Sequence, residues 1–475
     1  MKRKFPIIFV LTFISACAPL LETCNNGGGG FNQEKEEPHI KRSDFPPGFL
    51  FGAATSAYQV EGAYLTDGKS LSNWDVFCHS VGCGPNGENG DIADDHYHLF
   101  LQDIEMIHSL SLNAYRFSIS WARILPRGRF GEVNPAGIMF YNKIIDTLIL
   151  KGIEPFVTLY HGDFPQELEE RYGSWLNPEM QEDFVRLAEI CFSYFGDRVK
   201  YWITINEPRM FTEFAYESGT FPPSRCSEPF GKCLEGNSDV EPLIVMHNLL
   251  LAHGRAAKIY HEDFKHKQNG SIGIVAHCDM FEPLTDSELD REAAKRAFAF
   301  NAGCCSTTGG RAIRGFLDTI GERDGVLIGE LTGLEGVYVV PRGMEEIVNH
   351  IKIRYDNKPM YITENGYSSP DVHEERVNEI LKDVKRVEFH SKYLASLAKS
   401  IRTGADVRGY FVWSLMDSYE WLTGYNVRYG LHYVERQTLR RIPKLSTRWY
   451  KNFLTNDSNI LRNPQDREDH FKMMS

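Results

Sequence analysis

Along most of the chain, apolar residues recur at helical spacing and then give way to short, unbroken apolar runs. Tyr97, Phe100, Leu101, Ile104 and Ile107 fall on one helical face, and the run Asn113 to Ser118 after them reads as a buried strand. The pairing repeats. Tyr141, Ile144, Ile145 and Leu148 predict a helix before a strand over Pro155 to Tyr160, and Phe184, Leu187, Ala188 and Cys191 predict one before Tyr201 to Ile205. Met344, Ile347, Val348 and Ile351 stand in the same relation to Met360 to Thr363, and Ile272 to His277 reads as a further strand. Parallel strands need long crossovers, so this alternation predicts an α/β fold with a parallel sheet.

A doubly wound open sheet and a (β/α)8 TIM barrel both satisfy that pattern, and the ends of the strands separate them. Arg116, His161, Asn206 with Glu207, His277, Glu364 and Trp413 all lie at or just past the C-terminal end of a strand-like run. A barrel gathers its active site there from several strands. The one G-x-G-x-x-G in the chain, Gly82 to Gly87, follows no strand-like run, and no G-x-x-x-x-G-K-[ST] P-loop occurs, so the usual marks of an open nucleotide-binding sheet are absent.

The N-terminus reads differently. Lys2, Arg3 and Lys4 precede the apolar run Phe5 to Ile14 and the small-residue pattern Ala16-Cys17-Ala18, which together predict a secretory signal over residues 1–18. Residues 19–43 are glycine-rich and then charged, and read as a flexible N-terminus. Residues 44–456 form the barrel domain, with an atypical segment at 303–335, and residues 457–475 form a C-terminal tail. Entry into the secretory pathway makes an extracellular or vacuolar destination the expectation. It also makes Cys226 and Cys233, which flank a short polar loop, a candidate disulfide, and Asn269 and Asn456 candidate glycosylation sites.

Composition narrows the partners. The 475 residues are 42% hydrophobic and 12% aromatic, and the formal charge is −12. An acidic, aromatic-rich chain carries no broad basic footprint for nucleic acid or an anionic membrane and suits a neutral small ligand, and self-association is compatible with it.

Two pentapeptides hold the candidate chemistry: Thr204-Ile205-Asn206-Glu207-Pro208 and Ile362-Thr363-Glu364-Asn365-Gly366 each set a glutamate directly after an apolar strand. Two carboxylates facing one pocket are what cleavage of a glycosidic bond requires. The stretch Phe51 to Gly62 (FGAATSAYQVEG), Tyr115-Arg116-Phe117-Ser118-Ile119-Ser120-Trp121, both glutamate motifs and Gly409 to Asp417 with Glu420-Trp421 resemble glycoside hydrolase family 1, the plant β-glucosidases. The resemblance implies a TIM barrel that hydrolyses a small β-glucoside with retention and needs no cofactor or metal. It implies Glu207 as acid/base, Glu364 as nucleophile with Arg116 as the supporting cation, and Gln59, His161, Asn206, Glu420 and Trp421 as hydrogen-bonding residues for the sugar. Trp413 would form the floor under the ring. Glu207 would hold a proton at working pH and Glu364 would stay ionised.

Two departures stand against the resemblance. Gly162 follows His161 where many relatives carry tryptophan. From Gly303 onward the chain runs through Cys304-Cys305 into a glycine-rich stretch, and only 82 residues separate His277 from Met360. The sixth strand, together with the tyrosine that in relatives donates to the nucleophile, is therefore expected to be missing or altered, with Val337 to Val340 as a makeshift replacement. An impaired or non-catalytic relative is the alternative expectation.

Overall fold

The computed structural model describes residues 8–13, 40–281, 283, 285–303, 330–333, 338–370 and 376–455. The expected cleavage point at Ala18, most of the atypical segment, Asn456 and the C-terminal tail lie outside them. Eight parallel strands close a barrel. Leu50–Ala54, Ala114–Ser118, Glu154–Tyr160, Tyr201–Ile205 and Ser271–His277 follow one another around it, and Met360–Asn365 and Val407–Trp413 lead back to the first.

The sixth position is filled from an unexpected place. Ile8–Phe13 lies between Ser271–His277 and Met360–Asn365 and pairs in parallel with both, Ile8 opposite Gly273 and Thr12 opposite His277 on one side, Phe9 opposite Met360 and Thr12 opposite Glu364 on the other. The sixth strand, expected to be missing or altered, is altered, since it comes from the N-terminal run and not from the segment after Gly303. The apolar run that reads as the core of a secretory signal has the same composition as a strand buried on both faces, which is why one stretch of sequence supports both descriptions. The makeshift replacement is also corrected: Tyr338–Val339 pairs antiparallel with Glu330–Leu331, away from the barrel.

Strand periodicity divides the apolar residues between two layers. Ala54, Ala114, Phe156, Ile203, Val275, Tyr361 and Phe411 meet inside the barrel, where the Phe156 ring lies 4.7 Å from that of Phe411 and stacks on Tyr201 at 4.2 Å. Gly52 is required here, since a Cβ at that position would come within 2.3 Å of the Phe411 ring. Residues of opposite parity, among them Tyr115, Phe117, Val157, Leu159 and Trp202, face outward and pack on the surrounding helices.

The helices form where the periodicity places them. Pro135–Leu150 begins with Asn134, whose side chain accepts from the Ala136 amide, and with proline at its first position, where the missing N–H costs nothing. It buries Tyr141, Ile144, Ile145 and Leu148, as Glu179–Phe195 buries Phe184, Leu187, Ala188 and Cys191. In His96–Ser109 one expected core residue, Leu101, is 58% exposed. The inner face there is shared with Asp103, fully buried because Arg441 and His96 both bond its carboxylate.

Candidate active site

Arg116, in the middle of the second strand, is almost wholly buried, so each of its N–H groups must find an acceptor. Nε donates to Thr158 Oγ1 at 3.1 Å, Nη2 to Asn206 Oδ1 at 2.7 Å, and Nη1 to the Thr363 carbonyl at 3.3 Å and to the Glu364 carboxylate. One guanidinium thus ties four strands together at the pocket floor. Among the described residues it is the hydrogen-bond donor to Glu364.

Glu207 follows the strand Tyr201–Ile205 and starts the short helix Pro208–Thr212 in the left-handed region, with φ of 39°. A non-glycine residue held there marks a backbone constrained by its surroundings. Asn206 Nδ2 lies 3.3 Å from Glu207 Oε2 and 3.2 Å from His161 Nε2, while His277 Nδ1 lies 3.1 Å from Glu207 Oε1.

The charge distribution differs from expectation at the nucleophile position. Burial pushes the Glu364 carboxyl up, to about 7, with the Glu207 charge adding to the rise and Arg116 opposing it. Glu364 is therefore not simply ionised through the acidic range; it gains its charge near neutrality. His161 is pushed well below its usual range by burial and by Arg116, so its ring is neutral. With Nε2 accepting from Asn206, the ring proton sits on Nδ1, which is buried without a protein partner and is available to a ligand hydroxyl.

The remaining residues expected to hold a sugar converge from the short helix Ala57–Val60 after the first strand, from the end of the last strand and from the loop after it. Gln59 donates to Glu420 Oε2 at 3.1 Å and to the Tyr419 carbonyl at 2.8 Å, and accepts from Ser56. Ser418 donates to the other Glu420 oxygen, and burial holds the Glu420 carboxyl well above the usual carboxylate range. The His161 ring lies nearly parallel to Trp413, 12° apart at 5.9 Å, and Trp421 stacks on Tyr58 at 8° and packs 4.6 Å from Trp74. Polar groups around indole faces match a sugar's ring of hydroxyls and its apolar C–H face. At Gly162, with φ of 88°, an added Cβ would meet only Trp74 Nε1, at 3.9 Å, so the missing tryptophan leaves open space beside His161.

Three features escape a reading of motifs. His277 is visible as a strand-end residue, yet its bond to Glu207 and its partner Asp279, at 2.8 Å from Nε2, follow only from the closed barrel. Thr158, which aligns Arg116, lies within the third strand and carries no motif. Cys226–Cys233 forms as expected, and a second disulfide, Cys78–Cys83, closes a loop whose only sequence signal is its five-residue spacing. Asn269 is exposed at a helix end and open to modification.

Comparison with known proteins gives a consistent result. The family described as Glycosyl hydrolase family 1 matches residues 41–309 and 328–459. "Probable inactive beta-glucosidase 14" of Oryza sativa subsp. japonica is 47% identical, with 88% of this chain and 92% of that one covered. "Coniferin beta-glucosidase" of Pinus contorta is 42% identical, with 88% and 93% covered. Among solved structures, a rice beta-glucosidase superposes with a TM-score of 0.82 at 40% identity, covering 87% of this chain and 99% of that one. A beta-glucosidase of the fungus Humicola insolens in complex with glucose gives 0.81 at 34% identity, covering 86% and 98%.

Proposed function

Since the chain belongs to glycosyl hydrolase family 1, we propose that it hydrolyses the terminal β-D-glucosyl group of small glucosides with retention of configuration. The carrying observation is the placement of Glu207 and Glu364 at the ends of two strands, joined across the pocket floor by Asn206 and Arg116. Glu364 attacks the anomeric carbon while Glu207 passes its proton to the departing oxygen. Glu207 then takes a proton from the water that cleaves the glycosyl ester. Gln59, His161, Asn206, Glu420 and Trp421 hold the hydroxyls, and Trp413 lies beneath the ring.

The two disulfides favour an oxidising compartment, which fits a secreted or vacuolar protein with glycan at Asn269. Among the described residues no helix is long and apolar enough to cross a membrane.

A second reading, a chain that keeps the sugar pocket but turns over slowly, is favoured by one observation. The strand beside Glu364 is Ile8–Phe13 rather than a unit from between the fifth and seventh strands. One set of assays separates the two. In an active enzyme Glu364→Ala abolishes hydrolysis of a chromogenic β-glucoside. Glu207→Ala spares substrates whose leaving group needs no proton, and azide restores its turnover. A full-length chain that binds glucose without hydrolysing either substrate class supports the slow reading.

A further inference from the structure

The acid/base carboxyl is the first member of a continuous polar chain. Glu207 Oε1 meets His277 Nδ1 at 3.1 Å, His277 Nε2 meets Asp279 Oδ1 at 2.8 Å, Asp279 Oδ2 accepts from Arg209 Nη1 at 3.1 Å, and Arg209 Nη2 meets Glu213 at 2.9 Å. His277 is buried at the end of the fifth strand, and Asp279, two residues on, is only slightly exposed. With both ring nitrogens facing carboxyl oxygens, the imidazole donates to both when both carboxylates are ionised and both nitrogens carry hydrogen. Burial alone would lower the His277 pKa, but Asp279 and Glu207 outweigh it and hold it up at about 10.

We propose that His277, anchored by Asp279, is a positioning residue that turns the Glu207 carboxyl into the pocket and sets its charge state through the catalytic cycle. The inference rests on Glu207 being the acid/base. In the first step Glu207 loses its proton to the leaving oxygen as the C1–O bond breaks and the bond to Glu364 forms. The new carboxylate then faces a donor and a positive charge. In the second step water gives its proton to Glu207 while its oxygen bonds to C1 and the bond to Glu364 breaks. His277 exchanges no proton in either step. Arg209 and Glu213 come from the helix after Glu207, and Arg116 and the neutral His161 approach from neighbouring strands. Glu364, on the seventh strand, opposes the positive charge. Asp279 is the near counter-charge, so removing it weakens the effect of His277 without deleting the ring.

The sign follows. An opposite charge within a few ångströms favours a carboxyl's charged form by about 1 to 3 pH units, and the alkaline limb of kcat/KM reports loss of the general acid's proton. His277→Asn should therefore move that limb upward by about one unit and leave the acid limb in place. It should also slow alkyl glucosides about tenfold more than 2,4-dinitrophenyl glucoside, whose leaving group needs no proton. Asp279→Asn should shift the limb in the same direction by less, and serves as the test if His277→Asn does not fold. His277→Leu, which removes both the charge and the Nδ1-side donor that asparagine can mimic, should show the raised limb with a larger leaving-group penalty than His277→Asn.

Alkaline limbs that stay where they are in folded His277→Asn and Asp279→Asn, with both substrates slowed equally, would overturn the proposal and leave His277 a packing residue. The acid/base assignment is tested separately by Glu207→Ala. If that variant shows no dependence on the leaving group, the assignment itself fails. If it shows the dependence and the histidine variants shift no limb, only the role of His277 fails.

Discussion

At the scale of single residues the pocket is governed by competition between burial and charge. Glu364 is the clearest instance: desolvation raises its pKa to about 7 although an arginine touches it. The nucleophile role proposed for Glu364 requires an ionised carboxylate, so kcat/KM should fall as pH drops below about 7. The acid limb should lie well above the ordinary carboxylate value of about 4.3, which a pH profile with an activated glucoside checks. The two glutamates stand out in the sequence because each follows an apolar strand within a compact motif, and the roles proposed for them come from the family resemblance. The protonation of Glu364 is not, because it depends on how deeply the closed barrel buries the carboxyl. The same holds for His277, whose bond to Glu207 spans 70 positions.

At the scale of elements, periodicity is a faithful guide where one helix face meets only apolar neighbours. Pro135–Leu150 buries each of the four residues its pattern singles out. It fails at Leu101, because Arg441, more than three hundred residues away, draws Asp103 into the same interface. Capping is a local property and gives a local prediction. Asn134 accepts from Ala136 and also donates to the carbonyls of Asp67 and Arg123. Asn134→Ala should therefore lower stability by about 1 to 2 kcal/mol and leave kcat unchanged, as measured by denaturant unfolding and steady-state kinetics.

At the scale of the whole molecule the barrel is legible from the order of helices and strands, and the position left open by the atypical segment is legible from the 82-residue gap. What fills it is not, since a signal-like apolar run and a buried parallel strand share one composition. Ile8–Phe13 satisfies backbone groups on Ser271–His277 and Met360–Asn365, and each buried group left unpaired costs about 1 to 3 kcal/mol. A chain starting at residue 19, the form that cleavage of the expected signal would leave, lacks this strand and should melt at a lower temperature than the full chain and turn over more slowly. Equal melting temperatures and equal kcat would show that the strand contributes nothing.

The central claim is that Glu364 forms a covalent bond to the sugar, and trapping that bond tests it most directly. The protein is incubated with a 2-deoxy-2-fluoro-β-glucoside carrying an activated leaving group, digested and analysed by peptide mass spectrometry. The account predicts one fluoroglucosyl adduct, on the peptide containing Glu364, and none in Glu364→Ala. An adduct on any other residue, or hydrolysis of chromogenic glucoside to inverted product with no adduct, would contradict it.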